Sequence, residues 1–248
     1  MRFVPIPDWF LGKDVLIEGF SFIVLFIFSF LAIKNYKLNK NRKFLYLGVG
    51  FALISLAQLA TIMTKLVLYY DIGPSQAIGA AIITSQLVNS VDIFYSAGFF
   101  FHRFLTLLGF YIIYRLPRQK KSIWDFVLVL YFILISVLLS GEVFYLFHLT
   151  ALVLLVLIFD NYHALYKKNK FVNTKILLIA FGILALSQLI FILSNIEIMF
   201  VLGNIVELIS YTILLILIIR ILKHGKKKKQ DGHNIRHVGN NTGKGRRN

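Results

Sequence analysis

The chain has 248 residues, 58% of them apolar and only 15% charged, with a formal charge of +16. A soluble domain of this size carries about a quarter charged residues. Long uncharged runs of about 20 apolar residues exclude an ordinary water-soluble fold and read instead as membrane-spanning helices. The absence of cysteine excludes disulfides, thiolate metal sites and thiol nucleophiles.

The opening "MRFVPIPDWFLGKD" sets two prolines and two acids before the first apolar run, which is no signal-peptide pattern, so that run is expected to be retained. Seven spans are predicted, at 15–34, 44–67, 92–115, 124–140, 143–165, 175–194 and 198–221. Loops crowded with Lys and Arg ("KNYKLNKNRK", "RLPRQKK", "KKNKFVNTK") alternate with acidic or neutral ones ("YYDIGP", "SGE", "NIE"). Seven crossings put every basic loop on one face, and basic loops stay cytoplasmic. The N-terminus is then outside and the C-terminus inside, in a multi-pass protein of the cell membrane. The uncharged segment Pro74–Ser90 breaks this parity if it spans, so it is expected on the outer side, re-entrant, surface-lying or as a packed cap.

Two stretches repeat. "ISLAQL" at Ile54–Leu59 has a near-copy, "LALSQL", at Leu184–Leu189, and without gaps Tyr36–Leu66 aligns with Tyr166–Ile196. "YKLNK" falls on "YKKNK", Phe51 on Phe181 and Gln58 on Gln188. The third helix matches the seventh with Asp92 on Glu197, Gly98 on Gly203, His102 on Glu207 and Arg115 on Arg220. The predicted architecture is an all-α bundle over 1–222: repeat A at 15–115, a linker helix at 124–140 and repeat B at 143–221. An odd linker leaves both copies pointing the same way, as parallel repeats.

This three-plus-one-plus-three plan resembles the microbial rhodopsins and the SWEET sugar carriers in topology. Rhodopsins place a retinal Schiff-base lysine in the seventh helix, and Met199–Ile219 contains none. The carriers kink helices with proline, whereas Pro5, Pro7, Pro74 and Pro117 all fall outside the predicted spans. The loop-and-helix phrasing is also similar to uncharacterised archaeal-type seven-helix membrane proteins and to the membrane sensor regions of some kinases. That resemblance implies a sensor-like role.

Charge deep in a span costs about 3 kcal/mol and therefore faces the bundle interior. Arg103 and His102 lie about 15 Å down the third helix, and Glu207 lies at a similar depth in the seventh. An Arg103–Glu207 pair across the central axis is expected, with His102 beside it; the alternative is a buried salt bridge that only fixes register. Asn204, Glu207 and Tyr211 share one helix face. Gln58 and Gln188 sit centrally, where an amide bonds to a neighbouring helix. The candidate midplane site is thus Arg103, His102, Glu207, Asn204, Tyr211, Gln58 and Gln188. An outer rim of Glu18, Asp92, Glu142, His148 and Glu197 is expected around a pocket open to the outside, with interhelical glue and a hydrated rim as the alternative.

His102 and His148 lie at different depths, and no HxxxH or HExxH falls within a span. Phosphate loops and Ser-His-Asp arrangements are missing too, so no catalytic residue, metal or cofactor is expected and the chain reads as a non-enzyme. The basic tail 223–248 is Gly/Asn-rich and is expected to be disordered at the cytoplasmic face, near anionic lipid headgroups. A cytoplasmic protein partner is a further expectation; nucleic acid is disfavoured, since the tail offers no aromatic for stacking on bases. Two functions remain: a receptor-like sensor or scaffold for a small ligand, or a transporter of a small solute or proton with the midplane charges at its centre.

Overall fold

The computed structural model describes residues 7–10, 12–40, 42–71, 84–115, 123–140, 143–193 and 196–242. A 3₁₀ turn at Asp8–Phe10 precedes helices α1 (Lys13–Asn39), α2 (Arg42–Asp71), α3 (Thr84–Arg115), α4 (Ile123–Leu139), α5 (Phe144–Asn169), α6 (Val172–Ile192) and α7 (Glu197–Thr242). All except α4 contain a stretch long and apolar enough to cross a bilayer. The chain is therefore a polytopic integral membrane protein, because only internally bonded helices or closed barrels satisfy backbone groups in lipid. Large apolar side chains such as Phe26, Phe30, Leu56, Val153, Leu186 and Ile209 are exposed on the bundle exterior and meet the bilayer.

Two elements depart from the sequence expectation, while α4 keeps its expected length yet is short for a span. Helix α4 has 17 residues, about 26 Å at 1.5 Å per residue, against a hydrocarbon core of about 30 Å. Helix α3 begins at Thr84, so the last turns of the segment read as a separate outer element belong to it. Thr84–Asp92 contains neither Gly nor Pro, and Thr is favoured at helix starts; residues 72–83 lie outside the described residues. The backbone of 223–242 continues α7 where an irregular tail is expected. Adding residues to an existing helix avoids the nucleation cost, and Lys, Gln and Arg are good helix formers.

The helices form a closed ring. Helix α1 packs on α2, α2 on α3, α3 on α5, α5 on α6, α6 on α7 and α7 back on α1, while α4 lies outside against α3 and α5. Asn161 of α5 donates to the Tyr114 carbonyl of α3 at 3.4 Å, and further along His102 meets the Phe147 ring, so α3 and α5 run parallel. Helix α4 therefore returns the chain to the end at which α3 began.

Buried rings occupy the centre. Phe51 of α2 stacks on Phe181 of α6 with centroids 6.1 Å apart, flanked by Phe28 at 4.5 Å from Phe51 and Tyr162 at 5.4 Å from Phe181. Helices α2 and α3 approach closely at Gly50 and Gly109: a Cβ on Gly109 would sit 2.8 Å from the Gly50 carbonyl oxygen. Small residues permit such an approach. Helices α1 and α5 end alike. Lys40 and Lys170 are the non-glycine residues with positive φ among those described (52° and 50°), and their N–H groups bond to Tyr36 O and Tyr166 O at 2.7 and 2.8 Å. The left-handed residue satisfies a helix-end carbonyl and turns the chain.

Candidate functional site

The two ends of the ring differ in chemistry. At the end where α1 begins, Asp14 and Glu18 stand one turn apart on one face of α1. Lys65 of α2 reaches both, with Nζ 2.6 Å from Asp14 Oδ2 and 2.6 Å from Glu18 Oε1. Asp14 is fully buried; its second oxygen accepts the Gly12 N–H at 3.1 Å. Its position in the first turn also suits the positive end of the helix dipole. Glu207 lies close enough to interact electrostatically with both Lys65 and Glu18. Tyr211 donates to Glu207 Oε1 at 2.8 Å, and buried Gln58 reaches the Tyr211 hydroxyl from α2.

The expected Arg103–Glu207 pair is not formed. Among the described residues the ion pairs are those of Lys65. Arg103 instead donates to Ser140 Oγ at 2.9 Å and lies over the Phe99 ring. Position in the ring explains this: α3 packs against α2, α4 and α5, and α7 against α6 and α1. Stacked rings occupy the centre between the two halves. His102 Nδ1 donates to the Ala57 carbonyl at 3.1 Å, which joins α3 to α2. Asn204 turns back to the Phe200 carbonyl of its own helix at 2.8 Å.

The glutamines occupy matching positions with different partners. Gln58 faces Tyr211, whereas Gln188 accepts from His148 Nδ1 at 2.8 Å. Of the expected rim, Glu18 belongs to the Lys65 cluster, His148 is buried and bonded, and Glu197 is exposed in the first turn of α7. The Asp92 side chain and Glu142 lie outside the described residues.

A cavity of about 570 Å³ lies at the opposite end, where the basic loops are. Phe28, Leu31, Ala32 and Asn35 of α1 line it, with Lys43, Phe44 and Leu47 of α2. Tyr162 and Leu165 of α5, Asn173, Thr174 and Leu177 of α6, and Leu217 and Arg220 of α7 complete most of its wall. Its lining pairs by the sequence alignment: Ala32 with Tyr162, Asn35 with Leu165, Lys43 with Asn173, Phe44 with Thr174 and Leu47 with Leu177. The Phe28, Phe51, Phe181 and Tyr162 rings adjoin it on the inner side.

Sequence reasoning missed Lys65, Asp14 and this cavity. A signal for Lys65 exists in the hairpin geometry. Counting equal numbers of residues back and forward from the Lys40 turn brings Glu18 level with Ile62, about one helical turn from Lys65. Ser29 also bonds across this hairpin, donating to the Gly48 carbonyl at 2.8 Å. The cavity had no such signal, because its walls come from five helices. Compared with protein families, curated proteins and solved structures, this chain matches none.

Proposed function

We propose that this protein is a receptor-like membrane sensor with its N-terminus outside and C-terminus inside, whose small-ligand pocket opens to the cytoplasm. In this reading α4 is a short seventh span linking two parallel copies of a three-helix unit, α1–α3 and α5–α7. The shared alignment register and the matching left-handed caps at Lys40 and Lys170 support the duplication. So does the ring order, since exchanging the copies turns the α3–α5 contact into the α7–α1 contact. Orientation follows from the basic loops.

The observation that carries the sensor reading is that α7 both walls the cavity, through Leu217 and Arg220, and continues as a helix to Thr242. A ligand that packs against α7 acts directly on the rod that enters the cytoplasm. Such a ligand shifts α7 only if it binds one position of the helix more tightly than another.

A second reading is a solute carrier. Its support is that the cavity lies between the copies while buried charges bind the other end. Repeat interfaces are where carriers place their sites. Purified protein in lipid vesicles separates the two. The sensor reading expects ligand-dependent protection of 223–242 against protease with no uptake; uptake abolished by Asn173→Trp selects the carrier.

A further inference from the structure

We propose that the cavity at the basic end binds an amphiphilic anion, a phosphate or carboxylate carrying an apolar chain. The inference rests on the reading of that cavity as a ligand site and adds the chemistry of its occupant.

Four observations converge. Lys43 and Arg220 line the cavity, and none of its described lining residues is acidic, so a bound ligand meets positive charge on two sides. Two long helices start at its mouth: Lys43 and Phe44 lie in the first turn of α2, and Asn173 and Thr174 in the first turn of α6. Helix starts carry unsatisfied N–H groups and the positive end of the dipole, and no side chain caps α6.

Tyr162 supplies the third, independent observation. It is 5% exposed and lines the cavity, and its buried hydroxyl has no hydrogen-bond partner among the described residues. A buried hydroxyl left unpaired is costly, so its retention beside a cavity points to a partner delivered by a ligand. The register of the alignment, carried one turn further back along α1 and α5, places Ala32 at the matching position in the first copy, so the duplicated packing does not require a phenol there. Fourth, apart from Asn35 and Asn169 the remaining described wall is apolar, formed by residues such as Phe28, Leu31 and Leu217, and the volume suits a small molecule with an apolar body.

The ligand chemistry is thus an anionic head held near Lys43, Arg220 and the two helix starts, with the chain along the apolar wall and an acceptor oxygen at Tyr162. A bilayer phospholipid and a soluble single-chain amphiphile both present it.

The test titrates full-length protein in nanodiscs of zwitterionic lipid with octyl phosphate and, separately, with octyltrimethylammonium, by calorimetry against empty discs. Octyl phosphate is expected to bind saturably and the cation not to bind. Arg220→Gln and Lys43→Gln each weaken octyl phosphate by about tenfold, the size of one charge-assisted contact. Tyr162→Phe weakens it by about threefold, while ligand-free thermal stability does not fall, because its hydroxyl has no bond to lose.

Equal binding of both amphiphiles, or octyl phosphate binding indifferent to Arg220→Gln and Lys43→Gln, overturns the anion inference. Asn173→Trp separates that failure from failure of the site itself. If it blocks both amphiphiles alike, the cavity stands and the anion chemistry falls. If it alters neither, the ligand-site reading falls as well. Discs containing an anionic phospholipid then assign the source. Competition with octyl phosphate names the bilayer lipid and its absence names the soluble amphiphile, and either result upholds the shared chemistry.

Discussion

Helices α1–α2 and α5–α6 are two hairpins with one turn and two chemistries. Each closes on a lysine in the left-handed conformation bonded to a tyrosine carbonyl, and each buries a glutamine at the same register. Where the first hairpin carries Asp14, Glu18 and Lys65, the second has Phe144, His148 and Asn195. At the opposite end the bias changes: the second supplies Tyr162 against Ala32, and the first supplies Lys43 against Asn173. Backbone geometry is shared because it depends on turn and packing positions, whereas buried polar side chains follow whichever neighbour each hairpin meets. The comparison teaches that matching positions do not imply matching jobs, as the two glutamines demonstrate.

Removing Lys65 should break the first hairpin hardest. Lys65→Met leaves two carboxylates without their cation, and losing one member of a buried pair costs about 3–5 kcal/mol. Adding Asp14→Asn and Glu18→Gln to it should recover most of that loss, because an uncharged buried set carries no desolvated charge. Reversible unfolding in detergent measures both; a Lys65→Met protein as stable as the parent contradicts the assigned ion pairs.

The α2–α3 contact should be next. Gly109→Ala places a methyl carbon 2.8 Å from the Gly50 carbonyl oxygen, and such overpacking costs about 1–3 kcal/mol. The second unit has Ala180 and Leu214 at the matching positions, so Ala180→Gly in α6 should not produce an equivalent gain. A neutral Gly109→Ala would show that the helices stand further apart.

In the second hairpin, a double-mutant cycle of His148→Phe and Gln188→Leu should give a coupling of about 0.6–2 kcal/mol, the range for interhelical hydrogen bonds in membranes. The same cycle between His148 and Gln58 should give none.

The smallest effect concerns what the hairpins share. Lys40→Gly and Lys170→Gly relieve a left-handed side-chain penalty and should each stabilise by about 0.5–1 kcal/mol, equally in both hairpins. Unequal effects would mean that the two turns differ despite their common φ.

Much of the scaffold was legible in the sequence, because lipid imposes length and hydropathy on each helix separately. Basic loops marked the ends of α1 and α5 to within about one helical turn, the helices running on through Tyr36 and Tyr166 to Asn39 and Asn169. The early start of α3 was less legible, since apolar content alone does not fix where helical bonding begins. Arg103 and Glu207 show the harder limit. Depth along a helix is countable, but which helices adjoin is not, and charges at one level meet only if their helices are neighbours. Lys65 was within reach of hairpin counting. Tyr162 was not, since its unpartnered hydroxyl is a property of the packed bundle.

The central claim is that the ligand cavity opens toward the cytoplasm. With no cysteine in the chain, single variants Asn173→Cys in the cavity wall and Leu16→Cys at the opposite end report exposure against a clean background. A membrane-impermeant maleimide should label Asn173→Cys in inverted vesicles and Leu16→Cys in intact cells. Labelling of Asn173→Cys from the outside alone would contradict the account.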